Sequence, residues 1–219
     1  MGCGCRTNRH WEGNMSVRGV FFAFAIGCTI GSGCAGSSGI PTSAMEERLH
    51  YQGFSVERPP NSHWYLYANE QAPDHAMFRR EDLDSKTHSF FFMAELAQLQ
   101  TEPKTFEEFQ VLAGQNQTSD TARFETKSYN QKPMIVQGQW CVRYESTTID
   151  HAPPPFPGTE LVLLIRGVRC KHPTRPAAMV DAWYSERGVA RELDPALSTE
   201  AEGMILGVRI ETAPGVPAA

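Results

Sequence analysis

The stretch that decides the fold of this 219-residue chain is Gln139–Lys171, QWCVRYESTTIDHAPPPFPGTELVLLIRGVRCK. Two segments rich in β-branched and aromatic residues, Gln139–Asp150 and Glu160–Lys171, flank the Pro-rich segment His151–Thr159. Because proline has no backbone N–H to donate, the middle segment cannot continue a strand ladder and must be a loop. The stretch therefore predicts two antiparallel strands, whose paired residue numbers add to roughly 310.

This register places Cys141 opposite Cys170, and Glu145 opposite Arg166. Directly opposed residues outside a hydrogen-bonded pair have Cα atoms about 4.5 Å apart, at the short end of the disulfide range. A Cys141–Cys170 disulfide is therefore predicted for an exported chain, and two reduced core thiols are the alternative. The opposite charges of Glu145 and Arg166 favour the same register.

The segments on either side of the hairpin predict an α+β domain. A short helix is expected at Ala44–His50, and the aromatic side chains of the strands are expected mostly in the core. Further strands are predicted at Gly53–Glu57, Trp64–Tyr67, Ala76–Arg80, Ser89–Leu96, Ala122–Lys127 and Met179–Glu186. This order of elements favours a mainly antiparallel sheet with helices packed on it.

Two capping boxes predict where the longer helices begin. Thr105–Glu108 has Thr at the cap and Glu three residues later, and the helix that follows is expected to end at Gly114. Thr199–Glu202 has the same pattern and predicts a C-terminal helix that reaches about Val208–Ile210.

The start of the predicted domain resembles a known family. The sequence GFSVERPP at Gly53–Pro60, with Trp64 soon after it, is similar to the opening of PsbP, a family of extrinsic thylakoid proteins. The resemblance covers about Gly53–Ile210 and implies a PsbP-like α+β domain. A resemblance of fold does not imply a function.

The segment Met15–Gly39 has the pattern of an export signal. A basic start at Arg18 precedes about a dozen apolar residues, too few to span a bilayer. The run GSGC that ends at Cys34 resembles a bacterial lipobox, whose Cys is diacylated and becomes the new N-terminus. Cys28 is the alternative acylation site, and Met15 is an alternative start of the chain.

The lipobox resemblance implies a membrane-anchored protein of the bacterial envelope that faces the periplasm. Because Ala35 rather than Asp follows Cys34, the resemblance implies the outer membrane. The predicted organisation is a signal peptide at 1–33, the lipidated Cys34 with a flexible tether at 34–52, a single domain at 53–211 and a disordered tail at 212–219.

Composition and motifs exclude several classes of function. The net charge of −5, without a block of Lys or Arg, argues against nucleic-acid binding. The chain has no nucleophile motif, no histidine pair with zinc-ligand spacing and no phosphate-binding loop, so no catalytic residue, metal site or cofactor is predicted. His172 is expected on the surface.

These observations favour a non-catalytic envelope lipoprotein that binds or scaffolds another envelope protein. The loop residues Pro155 and Phe156 are the candidate contacts, because prolines hold an apolar tip at low entropic cost. A small-ligand-binding lipoprotein and a hydrolase without a recognisable motif are the alternatives.

Overall fold

The large sheet is the main element of the structure, a computed structural model that describes residues 39–67, 74–83, 86–115, 122–151 and 157–212. Its strands occur in the spatial order β1-β4-β5-β6-β10-β9-β8-β7, and a small sheet has the order β11-β3-β2. The strands are β1 (Ile40–Pro41), β2 (Arg48–Tyr51), β3 (Phe54–Glu57), β4 (Trp64–Leu66), β5 (His75–Arg80), β6 (Ser89–Gln98), β7 (Phe124–Val136), β8 (Gln139–Asp150), β9 (Leu161–Lys171), β10 (Ala178–Gly188) and β11 (Arg209–Ile210).

Within the ranges that the structure describes, two α-helices accompany the sheets, α1 (Phe106–Gly114) and α2 (Pro195–Leu206). All strand pairs in the described part of the chain are antiparallel. The predicted α+β class, with a mainly antiparallel sheet and helices packed on it, is therefore confirmed. Neither helix is both long and apolar enough to cross a bilayer.

The hairpin of β8 and β9 has the register that the Pro-rich loop predicts. Cys141 pairs with Cys170, their Cα atoms are 4.1 Å apart and their sulfurs form a disulfide. Glu145 pairs with Arg166, and the two side chains form an ion pair at 2.7 Å.

The main core lies on one side of the large sheet. Side chains alternate along a strand, and every second residue of β6 and β10 faces α2 and the small sheet. The buried core residues of these two strands are Phe90, Phe92, Ala94, Leu96, Ala178, Val180, Ala182 and Tyr184. Because α2 and the small sheet cover one side of the large sheet, the opposite side is left for other contacts.

Helix α1 begins where its capping box predicts. The Thr105 hydroxyl accepts the backbone N–H of Glu108, and the Glu108 carboxylate accepts the N–H of Lys104. The helix ends at Gly114 as predicted and packs Phe109 against Val142 in a second, smaller core.

Helix α2 begins earlier than predicted. Asp194 caps it by accepting the N–H of Ala196, and Pro195 occupies its first turn. Proline suits this position because its N–H would be unpaired there in any case. The predicted cap Thr199 lies inside the helix, where its hydroxyl donates to the carbonyl of Pro195. The helix ends at Leu206, and β11 begins three residues later, at Arg209.

The N-terminal part of the domain also differs from expectation. The helix predicted at Ala44–His50 is absent, because Arg48–Tyr51 forms β2 and pairs with β3, which buries Leu49. The tight turn between these strands uses Gly53 at φ 86°, a conformation that favours glycine. Strand β1, which lies in the segment predicted as a tether at 34–52, pairs with β4 in the large sheet.

Strand β7 is longer than the strand predicted at Ala122–Lys127. It continues to Val136 and returns into β8 through a turn at Gln137 and Gly138, both with positive φ. Pro133 is tolerated because β7 lies at the edge of the sheet and needs hydrogen bonds on one side only.

Candidate functional site

The candidate site is the side of the large sheet that faces away from the main core, which we call the open face. Helix α1 covers one end of it. Strand register arranges the remaining side chains in rows across the sheet. Counted away from α1, the rows are His75, Glu95, Asp181 and Arg169; then Met77, Met93, Trp183 and Gly167; then Arg79, Phe91, Ser185 and Ile165; then Ser89, Arg187 and Leu163.

The middle rows of the open face carry a group of large apolar side chains. Phe91 and Trp183 meet edge to face, with ring centroids 5.5 Å apart and planes at 67°. Met77 and Ile165 lie on either side of this pair, and all four side chains are half-buried. Large apolar side chains on both sides of a central aromatic pair give a continuous surface that water reaches only in part.

Gly167 allows two aromatic side chains to lie close together on this face. A Cβ at this position would lie 2.6 Å from the Trp183 Cβ, 2.7 Å from the Ala182 carbonyl oxygen and 2.8 Å from the Tyr144 ring. Only glycine leaves this space, so it sets where Trp183 lies on the sheet.

A buried polar cluster fixes the end of the open face next to α1. Arg169 donates from Nε to Asp181 at 2.8 Å, and Tyr144 donates to the other Asp181 oxygen at 2.9 Å. Arg169 also donates to the carbonyl of Ala113, near the end of α1. Burial would lower the pKa of Arg169, but Asp181 raises it above its ordinary value. The cluster therefore holds α1 on the sheet.

Glu95 lies directly opposite Asp181, and its charged form is less stabilised by hydrogen bonds than that of Asp181. Burial, and to a lesser degree the nearby charge of Asp181, raise the pKa of Glu95 to about 7, whereas a hydrogen bond from Trp183 opposes the shift. This carboxyl group therefore changes its protonation state near neutral pH. Because Trp183 donates a hydrogen bond to Glu95, we expect the protonation of Glu95 to affect the position of the Trp183 side chain.

The opposite end of the open face is basic. Asp150 is fully buried there and accepts two hydrogen bonds from Arg123, both 2.7 Å long. Arg187 reaches the same carboxylate through one weaker contact of 3.5 Å. Arg79 lies near enough to lower the pKa of Arg187 further, in addition to the larger effect of burial.

The polar residues on the core side of the sheet have a structural role. Glu200 of α2 accepts hydrogen bonds from Asn61, Trp64 and Arg80, and Arg80 also forms a two-point contact with Asp82. This network fastens α2 to the sheet. The described ranges hold no group of three or more potential metal ligands among His, Cys, Asp and Glu.

The expectation of a surface position for His172 was wrong. Its side chain is buried, its Nδ1 accepts the backbone N–H groups of Thr174 and Arg175, and its Nε2 donates to the carbonyl of Gly53 at 3.2 Å. Burial lowers the pKa of His172, which is consistent with this neutral form. The residue follows directly after β9 and ties the large sheet to the turn between β2 and β3.

The other residues predicted from the sequence to act in binding or anchoring are Cys28, Cys34, Pro155 and Phe156, and all lie outside the described residues. Sequence reasoning missed the open face. Its available signal was the alternation along β10, where Asp181, Trp183, Ser185 and Arg187 alternate with core residues. A second signal was Gly167, a lone glycine within a strand of mostly apolar residues.

Comparison with known proteins gives similarity of fold only. No family model and no curated protein matches the chain. One similar solved structure is LpqN, described as involved in cell envelope biogenesis of Mycobacterium tuberculosis, with 12% identity over 73% of this chain and 84% of that one at a TM-score of 0.47.

Two further structures extend this comparison. The Ran-binding protein Mog1p of Saccharomyces cerevisiae shares 12% identity over 72% of this chain and 90% of its own, at a TM-score of 0.38. Cyanobacterial PsbP from Synechocystis shares 12% identity over 83% of this chain and 99% of its own, at a TM-score of 0.40. A PsbP structure is thus among the similar folds. The sequence identities and TM-scores are too low for a function to be transferred to this chain.

Proposed function

We propose that this protein is a non-catalytic lipoprotein of the bacterial envelope that binds a protein partner through the open face. The observation that carries this proposal is the half-buried apolar surface of Met77, Phe91, Trp183 and Ile165. Soluble domains keep few such surfaces in contact with water, and those they keep often mark interaction sites.

The composition of the open face fits a protein partner. Aromatic, Met and Arg side chains are enriched at protein interfaces, and all three kinds occur together here in Trp183, Met77 and Arg79. The acidic Glu95 at one end and the basic Arg187 at the other give the surface a charge direction. A partner with complementary charges would bind in one orientation.

The membrane part of the proposal rests on the lipobox resemblance at Cys34. Five residues lie between Cys34 and Ile40, the first residue of β1. At about 3.3–3.6 Å per residue, this link spans at most ~20 Å. A lipid on Cys34 would hold the domain beside the membrane, so we expect the partner to be a membrane-associated protein. Placement in the outer membrane, facing the periplasm, belongs to the same proposal.

Paired Ile-to-Thr variants test the binding role. Ile165 lies on the open face, whereas Ile135 lies on the edge strand β7 and is 58% exposed. Both substitutions keep a β-branched side chain and remove one apolar group. We expect Ile165→Thr to lose most of a partner captured by crosslinking in intact cells, and Ile135→Thr to retain it.

Normal capture by both folded variants would contradict this function. Loss of a co-purified small molecule with Ile165→Thr, without loss of any protein, would favour the small-ligand alternative instead. Melting temperatures measured for both variants exclude an effect of unfolding.

A further inference from the structure

We propose that the Arg187 end of the open face is a binding site for an oxyanion, namely a carboxylate or a phosphate group. The site consists of Ser185 and Arg187 on β10, with Arg79 and Arg123 beside them and Asp150 beneath. It rests on the polar atoms of Ser185 and Arg187, whereas the proposed partner binding rests on the apolar side chains of Met77, Phe91, Trp183 and Ile165.

Two buried donors at this site have no hydrogen-bond partner. Among the described residues, the buried side-chain atoms without a partner are Arg166 Nε, Ser185 Oγ and Arg187 Nε. Arg166 Nε lies 2.7 Å from Glu145 Oε2 and has at least this ion pair. Ser185 and Arg187 remain, two residues apart on one strand and therefore on the same face.

Leaving buried donors unpaired is costly, so their presence needs a reason. Ser185 is 1% exposed, whereas the Arg187 side chain is 29% exposed. Ser185 Oγ and Arg187 Nε are buried, so a ligand meets the exposed part of the Arg187 guanidinium first. Both unpaired groups can donate a hydrogen bond, as an oxyanion requires.

The charges at the site also favour an anion. Three guanidinium groups, those of Arg79, Arg123 and Arg187, lie at this end of the open face. Asp150 contacts Arg123 and Arg187, and Glu81 lies 3.6 Å from Arg79. Both oxygens of Asp150 already accept bonds of 2.7 Å from Arg123, so the 3.5 Å contact leaves most of the hydrogen-bonding capacity of Arg187 unused.

The chemistry of the donors narrows the ligand to an oxyanion. A guanidinium presents its N–H groups in a planar fork that matches the spacing of two oxygens on a carboxylate or a phosphate. A cationic ligand would be repelled by the three guanidinium groups, and an apolar one would leave the two donors unpaired. A bound oxyanion would accept hydrogen bonds from the unpaired donors, and its charge would be opposite to that of the guanidinium groups.

Thermal unfolding of the purified full-length protein, with inorganic phosphate or acetate as the probe, tests this site. Sodium chloride keeps the ionic strength constant in every sample. We expect one of the two anions to raise the melting temperature in a saturable way, because a ligand that binds only the folded state stabilises it. Phosphate alone would indicate a phosphate group as the natural ligand, and acetate alone a carboxylate.

Two conservative variants locate the effect. Ser185→Ala removes an unpaired hydroxyl, so we expect an unchanged or higher melting temperature without anion and an affinity about tenfold weaker. Arg187→Lys keeps the charge but loses the planar fork, and we expect a similar loss of affinity. Arg143→Lys, an exposed arginine paired with Glu202, is the control and should bind as the wild type does.

Three results would overturn the proposal. One is the absence of saturable stabilisation by either anion. Another is equal affinity for anion in the Arg187→Lys and Arg143→Lys proteins. The third is a lower melting temperature of Ser185→Ala without anion, which would show that the hydroxyl has a partner within the protein. None of these results depends on whether a protein partner binds the apolar rows.

Discussion

Glu95 on β6 and Asp181 on β10 are opposed carboxylates on the open face, yet their surroundings differ. Asp181 accepts hydrogen bonds on both oxygens, from Arg169 and Tyr144. Glu95 has the Trp183 indole as its hydrogen-bond partner and stands beside the charge of Asp181. The fold therefore stabilises one carboxylate and disfavours the ionisation of the other.

This difference predicts how stability changes with pH. The pKa of Glu95 is raised to about 7 in the folded protein, mainly by burial, from an ordinary value of 4.5. Between these values the folded state binds more protons than the unfolded state, so the contribution of Glu95 is lost as pH rises through about 7. We expect Glu95→Gln to raise the melting temperature relative to wild type at pH 8 and to have little effect near pH 4.

The exposed carboxylate of Glu46 provides a control for this experiment. Glu46→Gln should change the melting temperature little at either pH. Trp183 should report the same event, since its fluorescence is expected to change near pH 7 in the wild type but not in Glu95→Gln. Identical pH profiles of stability for wild type and Glu95→Gln would rule out the assigned role of Glu95.

A second prediction concerns the contact of Gly167 with Trp183. A methyl group at position 167 would meet the Trp183 Cβ at 2.6 Å and the backbone oxygen of Ala182 at 2.7 Å. We expect Gly167→Ala to destabilise the protein by about 1–3 kcal/mol, because neither neighbour can move aside easily. Chemical denaturation measures this change.

The same substitution at Gly203 gives a control with the opposite sign. Gly203 lies in α2, and nothing lies within 4 Å of a Cβ built there. Gly203→Ala should stabilise the protein by up to about 1 kcal/mol, as alanine favours a helix over glycine. If Gly167→Ala were as stable as Gly203→Ala, the proposed steric role of Gly167 would be wrong.

The disulfide should contribute much of the stability of the β8–β9 hairpin. It links Cys141 and Cys170, 29 residues apart in sequence, and the entropy of closing such a loop corresponds to about 3.5 kcal/mol. We expect the double variant Cys141→Ala/Cys170→Ala to lose stability of this order. A reducing agent should lower the melting temperature of the wild type and leave that of the double variant unchanged. Labelling of both thiols in the native, unreduced protein would show that the disulfide is absent.

The lipid anchor predicts the behaviour of two further variants. Wild-type protein should fractionate with membranes, and Cys34→Ser should be released from them or mislocalised, because a signal without its Cys cannot be diacylated. Cys28→Ser should keep the membrane association if Cys34 is the modified residue. Mass spectrometry that finds an unmodified mature N-terminus upstream of Cys34 would exclude this anchor.

Local chemistry made part of the fold predictable. The prolines between β8 and β9 determined the loop and hence the Cys141–Cys170 register, and Thr105 with Glu108 determined the start of α1. Two equally local signals competed at α2, where the cap formed by Asp194 and Pro195 prevails over a capping box that begins at Thr199. A capping pattern alone does not say which of two nearby starts a helix uses.

The open face could not be predicted in the same way. Its rows depend on β6, β10 and β9 being neighbours, and β6 and β10 are about 80 residues apart in the chain. The unpaired atoms of Ser185 and Arg187 exist only in that arrangement. His172 was misjudged for a related reason, since its partner Gly53 comes from a turn more than 100 residues earlier.

Site-specific photocrosslinking in intact cells tests most directly whether the open face is the partner-binding surface. A photoreactive residue replaces Met77 on the open face, Phe156 in the Pro-rich loop, or the exposed Val111 on α1, one at a time. We expect the position 77 probe to give a discrete adduct with one other envelope protein, and the position 111 probe to give none. Adducts from position 156 alone would place the interface on the loop and contradict partner binding by the open face, as would equal adducts from positions 77 and 111.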